Sequence, residues 1–302
     1  MQIRENWAEL LEPGLRRIFD RHLGRKRDYL RTIYNVESST KAVERTLGIG
    51  GLGLMEEWTA TGNKVAYEDF NKGFVATFIH KKFSKGLAIE RELVEDDQYG
   101  EIRKRVRALA DVVYYTRQVH AAQPFNQAFG GLLGPDGKPL CAPDHPVAPG
   151  SSNTYSNVTD APLSADAVEA ARTAMKSWTD DKGNLLPVEP DTLIVPPALR
   201  KKALVIADSD KEPDTDLNNI NVWRGALRVI EWDFLTNPNA WFLVDSSRMQ
   251  QFLHWFDRRV PRLEADGENF DTEVGRWKVV GRWSYGWEDA SFIYGSTGTG
   301  TA

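Results

Sequence analysis

Residues 96–123 read DDQYGEIRKRVRALADVVYYTRQVHAAQ, the longest helical pattern in the chain. Ile102, Val106, Leu109 and Val113 recur at spacings of 4, 3 and 4, the period of one helix face. Asp96 and Asp97 offer acceptors to the free N–H groups of a first turn. Glu101 suits the positive end of a helix, and Pro124 marks a stop. A helix over residues 97–123 would measure about 40 Å at 1.5 Å per residue, roughly twice the usual globular length. Such a rod organises whatever lies on either side of it.

Upstream, the chain changes character twice. Trp7, Leu10, Leu11, Leu15, Ile18 and Phe19 make a helical stripe over residues 2–22, which Pro13 and Gly14 interrupt, so one helix or two short ones fit. The pattern fades over residues 24–44, where an extended arm is expected. The cluster Gly48-Ile49-Gly50-Gly51-Leu52-Gly53 then precedes strand-like residues 56–60, a Gly62-Asn63 turn, strand-like residues 64–67 and a β-rich run at 74–80. This reads as a long β-hairpin excursion with no obligation to fold back onto a core.

Downstream, residues 134–152 are punctuated by Gly, Pro, Asp and Ser, an exposed connection. Ser164 is placed to cap a helix carrying Val168, Ala171, Met175 and Trp178. A buried strand at 192–195, a helix at 198–207 behind Pro196-Pro197, a surface loop at 208–219 and strands near 225–232 and 240–244 follow. Residues 275–287 alternate with period two: Trp277, Val279, Trp283, Tyr285 and Trp287 on one face, Arg276, Lys278, Arg282 and Ser284 on the other. The Gly/Thr-rich residues 295–302 are expected to be disordered.

Composition narrows the function classes. With 302 residues, 41% hydrophobic and 27% charged, the chain can bury a sizeable core in one elaborate domain or two. Mean hydropathy is −0.46, and no apolar run approaches the ~18 residues of a membrane span. No secretory signal pattern opens the chain, so a reducing cytoplasm is the expected site of synthesis. One cysteine, Cys141, excludes an intrachain disulfide and a thiolate-only zinc site. Ten tryptophans suit large contacts within or between subunits. A net charge of −5 argues against a dedicated nucleic-acid binder. Residues 1–50 hold 10 Lys/Arg and 7 Asp/Glu, so +3, leaving −8 elsewhere. The bias between Arg16 and Arg31 fits a solvated helix face or docking on an acidic neighbour.

The catalytic inventory is nearly empty. Residues 48–53 match the letters of a dinucleotide fingerprint, which works only at a strand-to-helix turn. Residues 40–47 look charged and helix-like, so a hinge at the base of the hairpin is preferred. Cys141, Asp144 and His145 suggest a metal site or a nucleophile pair, but the loop chemistry around them favours turn and hydrogen-bonding roles. Helix capping explains Asp96 and Asp97 beside Glu95 more simply than a metal does. No Gly-x-Ser-x-Gly elbow and no P-loop occur.

Three segments together carry a family resemblance. The first is Gly86-Leu87-Ala88-Ile89-Glu90-Arg91-Glu92-Leu93 running into Asp96-Asp97-Gln98-Tyr99. The second is Phe125-Asn126-Gln127-Ala128-Phe129, then Asp136-Gly137-Lys138-Pro139-Leu140 and Asp144-His145-Pro146. The third is Leu163-Ser164, with Asp191-Thr192-Leu193-Ile194-Val195-Pro196 after it. In this order, over roughly residues 48–294, they resemble phage major capsid proteins of the Hong Kong 97-type fold, particularly Mu-like major head subunits.

The resemblance implies an α+β fold. Its parts are an N-terminal arm (1–47), an extended β-hairpin loop (48–86), a peripheral domain (87–156 and 265–302) with a spine helix at 97–123, and an apical α/β domain (157–264). It implies a major capsid protein that self-assembles into hexamers and pentamers around double-stranded DNA, without sequence-specific binding, membrane, cofactor, metal or catalysis. Expected partners are further copies of the chain, a scaffolding protein, a portal and a decoration protein. The expected location is the virion, assembled in the bacterial host cytoplasm. Interface energy is expected on the hairpin aromatics Trp58, Tyr67, Phe70 and Phe74, with Trp7, Arg16 and Arg17 on the arm. Two alternatives stand beside this reading: an encapsulin-type compartment of the same fold, and a nucleotide-binding enzyme using residues 48–53.

Overall fold

Trp277 and Val279 alternate with Lys278 along residues that can only be a half-buried strand, and two helices cover their apolar face. The computed structural model describes residues 7–51, 54–55, 67, 69–96, 98–211, 220–269 and 273–300. Helix α1 (Trp7–Leu23) and the short α2 (Leu30–Ile33) lead into strands β1 (Asn35–Ser38) and β2 (Val43–Ile49). Strands β3 (Lys72–Ile79) and β4 (Lys81–Glu90), a short α3 (Glu92–Glu95) and the long α4 (Tyr99–Asn126) follow.

Pro13 does not split α1, because Ala8, Leu15 and Phe19 all bury on one side and a proline removes only its own N–H. Residues 24–44 are not the expected free arm. Leu30, Ile33 and Tyr34 are buried, and the Tyr34 hydroxyl donates to the Ala121 carbonyl at 2.6 Å. Four apolar or aromatic residues within six positions drive this packing. Residues 43–47, part of the stretch 40–47 read as helix-like, form a strand that runs on to Ile49. Val43, Arg45, Leu47 and Ile49 alternate with Glu44, Thr46 and Gly48, and the ladder with β3 overrides the charged composition.

Helix α4 is 28 residues long, about 42 Å at 1.5 Å per residue. Ile102, Val106, Leu109 and Val113 are all buried, as their spacing requires. The expected aspartate cap is absent at its start: Gln98 occupies the cap position without a side-chain bond, and Asp96 closes α3. Pro124 lies within the last turn, which runs on to Asn126 because Phe125 is anchored in the core.

Strands β5 (His145–Pro146), β6 (Thr154–Tyr155) and β7 (Val158–Thr159) lead to α5 (Ala165–Lys176), where the Ser164 hydroxyl accepts from the Ala167 N–H at 3.1 Å. Next come β8 (Thr192–Val195), a 3-10 turn at Pro197–Leu199, α6 (Arg200–Asp208), β9 (Arg228–Glu231), β10 (Trp241–Val244) and α7 (Ser246–Phe252). The chain returns through β11 (Leu253–Asn269), β12 (Val274–Trp287) and β13 (Ile293–Ser296).

Two sheets result. One runs β1-β11-β12-β4, the other β7-β13-β10-β8-β9. Helices α1 and α4 bury Phe19, Val106 and Leu109 against Leu263, Trp277 and Val279 of the first sheet. The second sheet is covered on both faces, so β8 and β10 are buried at every position. Leu193, Val195, Trp241 and Leu243 meet α5 and α6, while Ile194, Phe242 and Val244 meet Phe125 at the end of α4.

Two boundary expectations change. Residue 264 falls inside β11, whose ladder with β12 is continuous from Leu253 to Asn269 apart from bulges. Strand β13 joins the second sheet, and the expected disorder from residue 295 is overturned as far as Gly300. The Thr297 N–H donates to the Thr159 carbonyl at 3.1 Å, and the Gly300 N–H donates to the Asp160 carbonyl at 2.7 Å.

Candidate assembly surfaces

The hairpin β2–β3 is built as an outward ribbon with two unlike faces. On its inner face Ala76 and Phe78 pack with Phe256 of β11; the Phe78 and Phe256 ring centroids are 5.1 Å apart. On the outer face Val43, Leu47, Ile49, Val75 and Ile79 line up across the register Val43↔Ile79 and Leu47↔Val75. Leu47, Ile49, Val75 and Ile79 are 51%, 70%, 53% and 64% exposed. Leu54 and Met55 beyond them are 83% and 100% exposed. Arg45 and Thr77 pair between Val43↔Ile79 and Leu47↔Val75 on the same face, so the apolar residues form two patches, and soluble proteins rarely leave such patches uncovered without a partner for them.

The root of this ribbon is polar. Both strands leave the main sheet beside His80, which is buried. Its Nε2 lies 3.1 Å from the Ser39 Oγ, and its Nδ1 lies 2.9 Å from the Ser284 Oγ. The Ser39 hydroxyl spends its proton on Glu44 at 2.7 Å, so the neutral ring donates through Nε2 and accepts from Ser284 at Nδ1. Burial, then the nearby Arg282 and Arg258 charges, pushes the His80 pKa down against the opposing pull of Glu44. Burial raises the Glu288 pKa, but His254, with Nε2 2.9 Å from the carboxylate, outweighs that and leaves it lowered.

The residues expected to form contacts are distributed unevenly. Trp58 lies outside the described residues. Tyr67 and Phe70, just ahead of β3 in the chain, are 94% and 60% exposed. Phe74 sits half-buried on the inner face. Trp7 packs within its own chain, with its ring 5.7 Å from Trp277. Arg16 pairs with Glu12, and its Nε donates to the Leu263 carbonyl at 3.2 Å. Arg17 is exposed with no ion partner among the described residues. The apolar outer stripe was missed because residues 40–47 were read as helix-like; the alternation of Val43, Leu47 and Ile49 was the signal for it.

The chemistry-bearing alternatives do not assemble. A strand does lead into Gly48, contrary to expectation, yet its partner is the antiparallel β3, and the next described element is β3 itself, not a helix. Gly48, Gly50 and Gly51 line a cleft of about 300 Å³ that also holds Asp136, Asp180, Asp181, Glu288 and Asp289. Five carboxylates against Lys72 and Arg248 make a poor cradle for pyrophosphate. Cys141, Asp144 and His145 part company: His145 Nδ1 lies 2.6 Å from Asp136, Asp144 pairs with Lys138, and burial pushes the Cys141 thiol up. No metal-binding cluster exists among the described residues. No described helix is long and apolar enough to cross a membrane.

A long helix laid on a four-stranded sheet, a second two-faced α/β layer and a projecting ribbon together form the architecture of a phage head subunit. The fold aligns with the procapsid of bacteriophage JBD30 at 17% identity and a TM-score of 0.53, over 97% of this chain and 76% of that one. The bacteriophage JBD30 capsid matches at 18% identity and a TM-score of 0.56, over 78% of this chain and all of that one. A virus-like particle from Pyrococcus furiosus matches at 11% identity and a TM-score of 0.54, over 94% and 98%. The sequence profile of the phage capsid proteins matches residues 75–295, and the chain belongs to that family. It is a structural protein of the phage head, and the family match disfavours the compartment alternative. No curated protein matches the sequence.

Proposed function

We propose that this chain is the major head subunit, associating as hexamers and pentamers into a closed shell around double-stranded DNA. The observation behind this is the ribbon's outer stripe of Leu47, Ile49, Val75 and Ile79, an apolar surface the chain itself leaves open. A second copy is the partner that such a surface serves in a shell of identical subunits. Tyr67, Phe70, Arg17, Trp58 and Phe74 are assigned to the same contacts. Trp7 and Arg16 are assigned a lesser share, since their own chain already engages them.

Within the shell, the first sheet with α1 and α4 forms the peripheral part, and the second sheet with α5 and α6 forms the apical part. The strands themselves support borders near residue 253 and at β13, in place of 264. The role is non-enzymatic. A scaffolding protein, a portal and a decoration protein are the proposed partners, with assembly in the host cytoplasm before release in virions.

Expressing the chain with and without its neighbouring head genes and examining the products by negative-stain microscopy tests the reading. Closed particles of uniform diameter are expected. A chain that stays monomeric under every condition, partners included, overturns it.

A further inference from the structure

We propose that Asp181 is a positioning residue for assembly: the turn at 179–185 is a latch on the neck of the ribbon, and Asp181 holds the ribbon at its working angle. The contact itself is seen in the single subunit; only its consequence for assembly rests on the shell reading. The Asp181 carboxylate accepts from the Gly51 N–H at 2.8 Å through Oδ1 and from the Asn71 side-chain amide at 2.7 Å through Oδ2. Gly51 and Asn71 lie on opposite sides of the neck, which the Gly50 N–H closes by donating to the Asn71 carbonyl at 2.8 Å. One carboxylate therefore ties both strands of the ribbon at once.

The turn that presents Asp181 is built without it. The Asp180 Oδ1 accepts from the Lys182 and Asn184 N–H groups at 2.9 and 2.8 Å. Thr179 bridges Leu185, and Gly183 turns the chain at a φ of 84°. Asp181 is thus spare for the ribbon. The neck, in turn, is shaped for close approach. A Cβ on Gly51 would lie 2.5 Å from the Asp180 Oδ2, and one on Gly50 would lie 2.8 Å from the Asp181 Oδ2. The glycines that resemble a nucleotide fingerprint serve this approach. Because the turn connects α5 to β8, the latch ties the ribbon to the second sheet, whereas His80 ties it to the first. Any shift of one sheet against the other must open the latch or carry the ribbon along.

The full-length unassembled chain tests this by hydrogen–deuterium exchange, comparing wild type with D181A, N71A and G51A. Amides of β2 and β3 in D181A should exchange about tenfold faster, the scale of one or two lost charge-assisted hydrogen bonds, while those of α4 and β10 hold their rates. N71A should show the same effect in part, and N71A/D181A should add little to D181A. Unchanged exchange in D181A overturns the latch. If D181A fails to fold, G51A decides, since it keeps the carboxylate and blocks the approach; unchanged exchange there overturns the latch equally. Particles examined in parallel should be fewer or uneven in size for D181A. Faster exchange with wild-type yield and diameter overturns the positioning role. A wild-type chain that forms no particles sinks the shell reading alone and leaves the exchange result standing.

Discussion

Arg117 grips Asp257 with both guanidinium ends, at 2.8 and 2.9 Å, across the seam between α4 and β11. The guanidinium also lies 5.1 Å from the Trp255 ring and 5.4 Å from the Trp283 ring, and the Trp255 indole N–H donates to the same carboxylate at 3.0 Å. Both side chains are largely buried, so removing one strands the other's charge. Arg117→Ala should lower unfolding stability by about 3–5 kcal/mol, and Arg117→Lys should recover less than half of it, because a point charge cannot span two oxygens. Chemical denaturation of the subunit checks this; a loss under about 1 kcal/mol would show the pair to be ornamental.

Cys141 should not react in the folded subunit. Its sulfur is buried, the thiol is pushed far above its ordinary range, and a Cβ on Gly295 would come within 2.6 Å of it. Iodoacetamide at pH 8 should label the chain only in denaturant, as read by intact mass. Rapid labelling of native protein would contradict the packing of β13 over this residue.

Acid should loosen the subunit through its histidines first. The His80 pKa is lowered by burial and by Arg282 and Arg258, so the folded state favours the neutral ring. His120, lowered by burial and by Lys81, works in the same direction. With folded values below the ordinary 6.5, the unfolded chain binds protons first as pH falls. The stabilisation is complete above that ordinary value and is lost as pH falls toward the lowered one. Urea midpoints measured from pH 8 to 5.5 should fall for wild type and fall less steeply for His80→Gln. Parallel curves would mean that His80 titrates alike in both states.

The outer stripe of the ribbon should matter to particles and not to subunits. Leu47→Asp and Val75→Asp change residues that are about half exposed on the outer face of the ribbon. Subunit stability should move by no more than about 0.5 kcal/mol. Particle yield, read by sedimentation, should collapse. Loss of folded subunit in step with particles would remove the stripe from the interface.

How much of this was legible in the sequence follows the physics of each segment. Helix α4, the buried strand at Thr192–Val195 and the alternating β12 announce themselves because burial imposes a period on their residues. Strand β2 escapes notice. Its alternation is diluted by Glu44 and Arg45, and its partner strand begins more than twenty residues downstream, at Lys72. The latch was legible only as a glycine hinge, since the aspartate that explains the close approach lies 130 positions away. The order seen at residues 295–300 was hidden for a related reason. A Gly/Thr-rich stretch looks unstructured until a sheet edge supplies its hydrogen bonds.

Strand β1 lies parallel to β11, with Asn35 opposite His254 and Ser38 opposite Asp257. In time rather than space, this pairing is a clock. As the chain emerges from the ribosome, residues 35–38 must wait for residues 254–257 before their edge of the sheet can close. Pairing across such a separation is slow, because loop-closure entropy must be met before the contact forms. The root of the ribbon, where Ser39 bonds to the Asp257 carbonyl, is completed only then. A half-made subunit therefore has no fixed ribbon to offer its neighbours, and the order of synthesis itself delays association until the fold is finished.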